Sequence, residues 1–193
     1  MRQRDSRGLI ASAAQAEFAQ HGFAGARVER IAHRAGVNKQ LVFYYFGSKA
    51  GLYEAVMQGA AGEAAAQMPK APSGEPGVER LRHTFEEFFD ALARRPDLTR
   101  LIVLDAQHAT GLPAAARSAV AHFLNRIQRV VAEGQGNGYF RDEVDPERAA
   151  QQAIVLALGY FAFEKALEDP PDPTHARRWR DDTADLLLRA LSW

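Results

Sequence analysis

Lys39, Gln40, Leu41, Tyr44 and Tyr45 lie close together in the sequence. At helical spacing they share a face carrying an ammonium, an amide, a branched apolar tip and two phenols. That is the chemistry a helix lying in a DNA groove needs: groups that grip phosphate, hydrogen-bond a base edge or touch a thymine methyl. Asn38 precedes them and suits the cap of such a helix, whose first-turn amides can then face an anion. Arg27 and Lys49 flank the segment.

Catalytic chemistry finds no footing elsewhere. His21, His33, His83, His108, His122 and His175 are scattered, without the close helical pairing of a metal site. Asp105 and His108 can share a helix face, yet no third ligand can be named. Ser6, Ser12, Ser48, Ser73, Ser118 and Ser192 sit in no nucleophile-elbow context, and no glycine-rich phosphate loop follows a strand. The absence of cysteine excludes disulfides, thiolate metal ligands and cysteine nucleophiles, and suits a reducing compartment. No enzyme activity, metal or cofactor is expected.

The residues around the reactive face tell how it is positioned. Ala32, Gly36 and Val42 have the spacing of two helices crossing tightly about a turn. The small residue permits close approach, glycine takes the left-handed turn, and the β-branched side chain fills the crossing. Ile31, Ala35, Val37 and Phe46 supply the other apolar positions. Upstream, Ile10, Ala14 and Phe18 predict a first helix from about Asp5 or Ser6 to His21-Gly22. Downstream, Ser48 caps a fourth helix through Leu52, Tyr53 and Val56 to about Gln67.

From about Leu9 to Val56 the chain resembles the DNA-binding domain of the TetR family of bacterial transcription regulators. AEFAQHGF, IAHRAGV and VFYYFGSKAGLYEAV carry the likeness, with matching mutual spacing. The resemblance implies a homodimer with two helix-turn-helix heads. Each recognition helix, Lys39 to Phe46, would enter the major groove of one half of a palindromic operator. It implies that Lys49 grips phosphate at the start of the fourth helix, alongside Lys39, Tyr44, Tyr45 and Arg27. Gln40 would then read a base edge and Leu41 a thymine methyl. The sequence departs from the family where Ala26 and Arg27 replace a frequent threonine pair, Gln40 replaces a small residue and Phe43 replaces a common tyrosine.

Net charge supports this arrangement only when the chain is divided. The whole is neutral, but residues 1–50 hold 8 Lys/Arg against 3 Asp/Glu, so a head of +5 precedes a body of −5. Such a split concentrates counterion release in the head. Arg2, Arg4 and Arg7 either reach phosphate or are solvated charge at a helix start.

The remainder reads as helical, with no strand alternation, giving an all-α chain: residues 1–50 for DNA and residues 51–193 for ligand sensing and dimerisation. MPKAPSGEPG, residues 68–77, is the linker-like segment. Four or five helices follow, punctuated at 95–97, 111–113, 134–138 and 169–173. Asp145-Pro146 and Asp172-Pro173 read as N-caps followed by a first-turn proline. No apolar run approaches the ~18 residues of a membrane span. Asp5 and Gln15 interrupt any signal core, so a cytoplasmic location is expected.

Phe85, Phe88, Phe89, Leu81 and Leu92 form a stripe on one helix, followed by Leu101, Leu104 and His108 on the next, and Phe123, Ile127 and Val130 on another. Such a stripe is either solid core or the lining of a pocket for an apolar or aromatic small molecule. The expected ligand residues are Phe85, Phe88, Phe89, Leu104, His108, Phe123 and Phe161, with His83, Asp105, Gln107 and Gln152 as further polar candidates. After Asp145, Ala149, Ala153, Ala157 and Tyr160 make one face and Ala150, Ile154, Leu158 and Phe161 its neighbour. The family implies pairing of the last two helices as a four-helix bundle, and the alanine stripe is the expected crossing. Ligand binding would move the fourth helix and release DNA. The alternative is a helical ligand-binding or scaffold protein with a non-functional helix-turn-helix.

Overall fold

The computed structural model describes residues 2–66, 77–106, 114–167 and 174–192. Among them the regular elements are all helical: α1 (Arg2–Gly25), α2 (Val28–Ala35), α3 (Lys39–Phe46), α4 (Lys49–Ala66), α5 (Gly77–Ala93), α6 (Pro96–Ala106), α7 (Ala114–Gly136), α8 (Pro146–Leu167) and α9 (His175–Leu191). They divide into two compact units, residues 1–66 with 96–118 and residues 67–95 with 119–193.

Two glycines shape the first unit. Gly22 breaks α1 with φ 65° and ψ 176°, where the sequence predicts the helix to stop. Gly36 ends α2 at φ 68° and ψ 29°, the left-handed position that a side chain disfavours. The amides of Gly36 and Val37 return to the carbonyls of His33 and Ala32, closing the turn. Ile10, Ala14, Phe18, Ile31, Ala32, Val42, Leu52 and Val56 are all buried around this crossing. Leu98, Leu101 and Ile102 of α6 are buried too, and α6 packs along α1. Gly51 has a steric role: a Cβ there would stand 2.2 Å from the Phe46 carbonyl oxygen, so α4 starts this close to the end of α3 only with glycine.

In the second unit Phe85, Phe88, Phe89 and Leu92 of α5 meet Phe123, Ile127 and Val131 of α7, Ala153, Ala157 and Tyr160 of α8, and Leu187 and Leu188 of α9. Arg82–Asp185 and Arg180–Asp90 ion pairs, the second at 2.9 Å, tie α5 to α9 at the core's edge. Asp145 caps α8, its Oδ1 accepting the Glu147 amide at 2.9 Å. The Asp172-Pro173 pair lies outside the described residues, and Thr174 precedes α9.

The alanine stripe of α8 departs from expectation. Ala149, Ala153 and Ala157 face the unit's own core, with Ala157 at 0% exposure. Their small size lets α8 lie close to the rings of α5, so they are unavailable to a partner helix. The outward faces instead show Val155, Phe163 and Leu186, at 67%, 64% and 60% exposure.

Candidate nucleic-acid interface

The outer face of α3 is built by elimination. Val42, at 1% exposure, faces the crossing, which leaves Lys39, Gln40, Phe43 and Tyr44 outward and Leu41, Tyr45 and Phe46 half-buried at the flanks. Tyr44 is 73% exposed, with its ring meeting Tyr45 edge-on at 5.4 Å. No packing requirement explains so large a side chain held in water. Asn38 caps the helix as expected, its Oδ1 accepting the Leu41 amide at 2.7 Å. Ser48 Oγ accepts the Gly51 amide at 3.0 Å, so the fourth helix is capped as well.

The flanking cations have partners of their own. The Lys39 ammonium donates to Glu29 Oε1 at 2.5 Å and lies 5.6 Å from the Phe43 ring centroid. Lys49 donates to the Ala24 carbonyl at 3.2 Å and sits 4.9 Å above the Phe23 ring, which holds the start of α4 against the end of α1. Arg7 stands 5.5 Å from the Phe46 ring, placing one N-terminal cation beside the recognition helix. Arg27 is exposed at the α2 cap, and its backbone amide donates to Glu17 Oε1.

That bond leads to Glu17, which sequence reading misses. Its side chain is 1% exposed, accepting the Arg27 amide at 3.1 Å and Arg30 Nε at 2.6 Å, with His21 Nε2 at 3.8 Å. Burial alone would push its carboxyl up, but the Arg30 hydrogen bond, the Arg27 amide and the charges of Arg30 and His21 outweigh it and hold the group below its ordinary value. A lone glutamate on the mostly apolar face of α1 was the available signal. Phe43 was also overlooked as a surface group, though it lies four residues from Lys39.

The ligand candidates separate. Phe85, Phe88, Phe89 and Phe123 are buried, and Phe161 is half-buried. Phe88 meets Phe123 at 4.4 Å and Phe89 meets Phe161 at 4.9 Å. Leu104 and Asp105 lie on α6, in the first unit. Gln152 is exposed, and Gln107 and His108 lie outside the described residues. His83 Nε2 stands 3.3 Å from Glu87 Oε1, while Arg126 donates to Glu87 Oε2 at 2.7 Å. This buried carboxylate interrupts an apolar stripe, and its Oε1 makes no hydrogen bond among the described residues. Among the described residues no group of three or more His, Asp or Glu side chains could hold a metal ion, and no helix is long and apolar enough to cross a membrane.

A solvent-facing recognition helix on a buried helix-turn-helix crossing, in a chain that also carries a second helical unit, defines a DNA-binding transcription regulator. Residues 10–56 match the model of bacterial regulatory proteins of the tetR family, and residues 78–186 match a tetracyclin repressor-like C-terminal domain. The chain belongs to the TetR family. It is 35% identical to the HTH-type transcriptional repressor SCO4008 of Streptomyces coelicolor over 70% of this chain and 67% of that protein. It is 27% identical to the HTH-type transcriptional repressor NicS of Pseudomonas putida over 96% of this chain and 92% of that one. Among solved structures, the transcriptional regulator SCO4942 of Streptomyces coelicolor superposes with a TM-score of 0.72 at 26% identity, covering 96% of this chain and 98% of that chain.

Proposed function

We propose that the protein is a homodimeric repressor that leaves a palindromic operator when its second unit binds a small apolar or aromatic effector. The outward face of α3 carries this reading: Lys39, Gln40 and Tyr44 stand in solvent opposite buried Val42. Gln40 hydrogen-bonds a base edge, Leu41 touches a thymine methyl, and Lys39, Tyr44, Tyr45, Lys49 and Arg27 grip phosphates. With the Leu41 amide taken by Asn38, the Lys39 and Gln40 amides at the start of α3 meet a phosphate. The repressor names of SCO4008 and NicS support the sign of regulation. The protein acts in the cytoplasm, where its DNA is.

Pairing uses Val155 and Phe163 of α8 with Leu186 of α9, and Gly159 between them has open space beyond its Cα for a partner helix. The effector meets Phe85, Phe88, Phe89, Phe123 and Phe161 of the second unit, and its arrival moves α4 and so the heads. An inducer that weakens DNA binding is itself held more weakly by the DNA complex, by the same factor. The test is a salt titration of binding to the duplex upstream of the protein's own gene. Tight binding that falls steeply with salt is expected. No binding at low salt would leave a helical ligand-binding or scaffold protein.

A further inference from the structure

Between Arg27 and Lys49 the chain carries Arg27, Arg30, Arg34, Lys39 and Lys49 as well as His33, but a single acid, Glu29. That acid is not set apart from the DNA-binding face. Its side chain is 62% exposed in the first turn of α2, and it reaches across to the first residue of α3 to hold the Lys39 ammonium at 2.5 Å. Arg30, His33 and Arg34 line the shallow groove that Glu29 borders. Lys39's hydrogen bond, foremost among the causes, holds the Glu29 carboxyl below its ordinary value, so this carboxylate carries its charge at neutral pH.

An exposed pair of two long side chains adds little to folding stability. It has two other effects. Lys39 opens α3, where the helix dipole repels a cation, and the carboxylate offsets that repulsion from outside the helix. The carboxylate also cancels, at short range, the charge that a loosely docked phosphate would feel.

We propose that Glu29 is a positioning residue that makes the head selective: it pins Lys39 and suppresses binding to DNA that lacks the operator. On arbitrary DNA, affinity comes from mobile cations that release counterions, and a neutralised, tethered lysine contributes little to that sum. On the operator, with α3 seated, Lys39 makes one defined contact, and a side chain already held in place loses less conformational freedom in making it. Glu29 thus lowers the background more than the signal.

This inference rests on the DNA-binding reading above, and one experiment separates the two. Wild type, Glu29→Gln, Lys39→Gln and the double variant are titrated by fluorescence anisotropy from 50 to 200 mM salt. The probes are the duplex upstream of the protein's own gene and a scrambled duplex of equal composition. Wild-type binding to the first duplex tests the function. The inference is tested by the variants. Glu29→Gln should raise affinity for scrambled DNA about threefold or more and steepen its salt slope by about one unit per head, as expected for one freed phosphate contact. Upstream-duplex affinity should rise less, so that the ratio of the two falls. In the Lys39→Gln background the Glu29→Gln effect should vanish. Glu54→Gln, which removes a carboxylate from α4, serves as the bulk-charge control and should leave the ratio unchanged. Equal gains on both duplexes, persistence without Lys39, or a loss confined to the upstream duplex would each overturn the inference. The last outcome would make Glu29 a direct reader of base edges instead.

Discussion

The two units treat their large side chains in opposite ways. In the first, Tyr44 and Phe43 stand in water on α3, at 73% and 38% exposure, while Val42 turns to the crossing beneath, beside buried Phe18 and Ile31. In the second, Phe85, Phe88, Phe89 and Phe123 are almost wholly withdrawn from solvent. An exposed aromatic that packs on little needs another reason to be there, so the head announces a partner. A buried aromatic is already explained by packing, so the body's phenylalanines do not distinguish core from pocket on their own. The body instead shows its exceptions on the outside, at Val155, Phe163 and Leu186.

The largest effect should come from those exceptions. Phe163→Asp with Leu186→Asp should yield folded monomers and weaken operator binding by about 10²–10⁴, because two heads no longer share one effective concentration. Ala157→Glu should behave differently. It forces an unpartnered charge into the unit's own core, so the unit should unfold instead of dissociating. Sedimentation and circular dichroism together separate the two outcomes. Folded monomers from Ala157→Glu would return the interface to the alanine stripe.

The next contrast pits stability against affinity. Phe88→Ala removes half of the 4.4 Å contact with Phe123 and should cost about 3–5 kcal/mol in thermal or denaturant unfolding. Tyr44→Ala, at a solvated position, should change stability by less than about 0.5 kcal/mol while weakening operator binding clearly. A destabilising Tyr44→Ala would show that the exposed ring supports the fold. Phe161→Trp, at a half-buried position of the second unit, sharpens the effector reading: DNA binding should persist while any response to hydrophobic effectors is lost.

Sequence reading succeeds where local geometry decides. Ala32, Gly36 and Val42 are bound by one tight turn, so their spacing alone predicts the crossing, and the caps Asn38, Ser48 and Asp145 act within three residues of themselves. It falters where a choice depends on distant chain. Both apolar faces of α8 turn inward, Ala150 and Ile154 as well as Ala153 and Ala157, because α5 and α9, far off in sequence, pack against them. That α6 joins α1, and that Glu17 receives the start of α2, depend likewise on tertiary approach. Lys49 is intermediate: its place at the start of α4 was readable, its perch on Phe23 was not.

Glu17 offers a smaller effect with a defined pH dependence. Glu17→Ala leaves the Arg27 amide and Arg30 Nε without their acceptor and should cost about 1.5–3 kcal/mol. Its folded pKa lies below the ordinary value of 4.5, so the wild-type carboxylate stabilises fully above that pH. The contribution is lost as pH falls through the lower, folded value. Wild type and variant should therefore converge in stability under acid. A gap that stays constant from neutral pH to about pH 3 would mean that Glu17 acts through packing and not through charge.

The smallest expected effects test the division of labour on the head itself. Gln40 is exposed in the first turn of α3, whereas Lys49 lies off that helix, with its ammonium on the Ala24 carbonyl. Gln40→Ala should relax discrimination at one base pair by about 1–3 kcal/mol and leave the salt slope alone. Lys49→Ala should weaken binding to all sequences alike and lower the slope by about one unit. The perch of Lys49 adds a second expectation. The variant also loses a hydrogen bond and a ring contact that join α4 to α1, so a small fall in melting temperature should accompany it. Lys49→Met separates the two contributions, since it retains an apolar stem over Phe23 without the charge. Its melting temperature should recover part of the loss, and its salt slope should not. Recovery of both, or a preference profile reshaped by Lys49→Ala and untouched by Gln40→Ala, would reverse the roles given to these two residues.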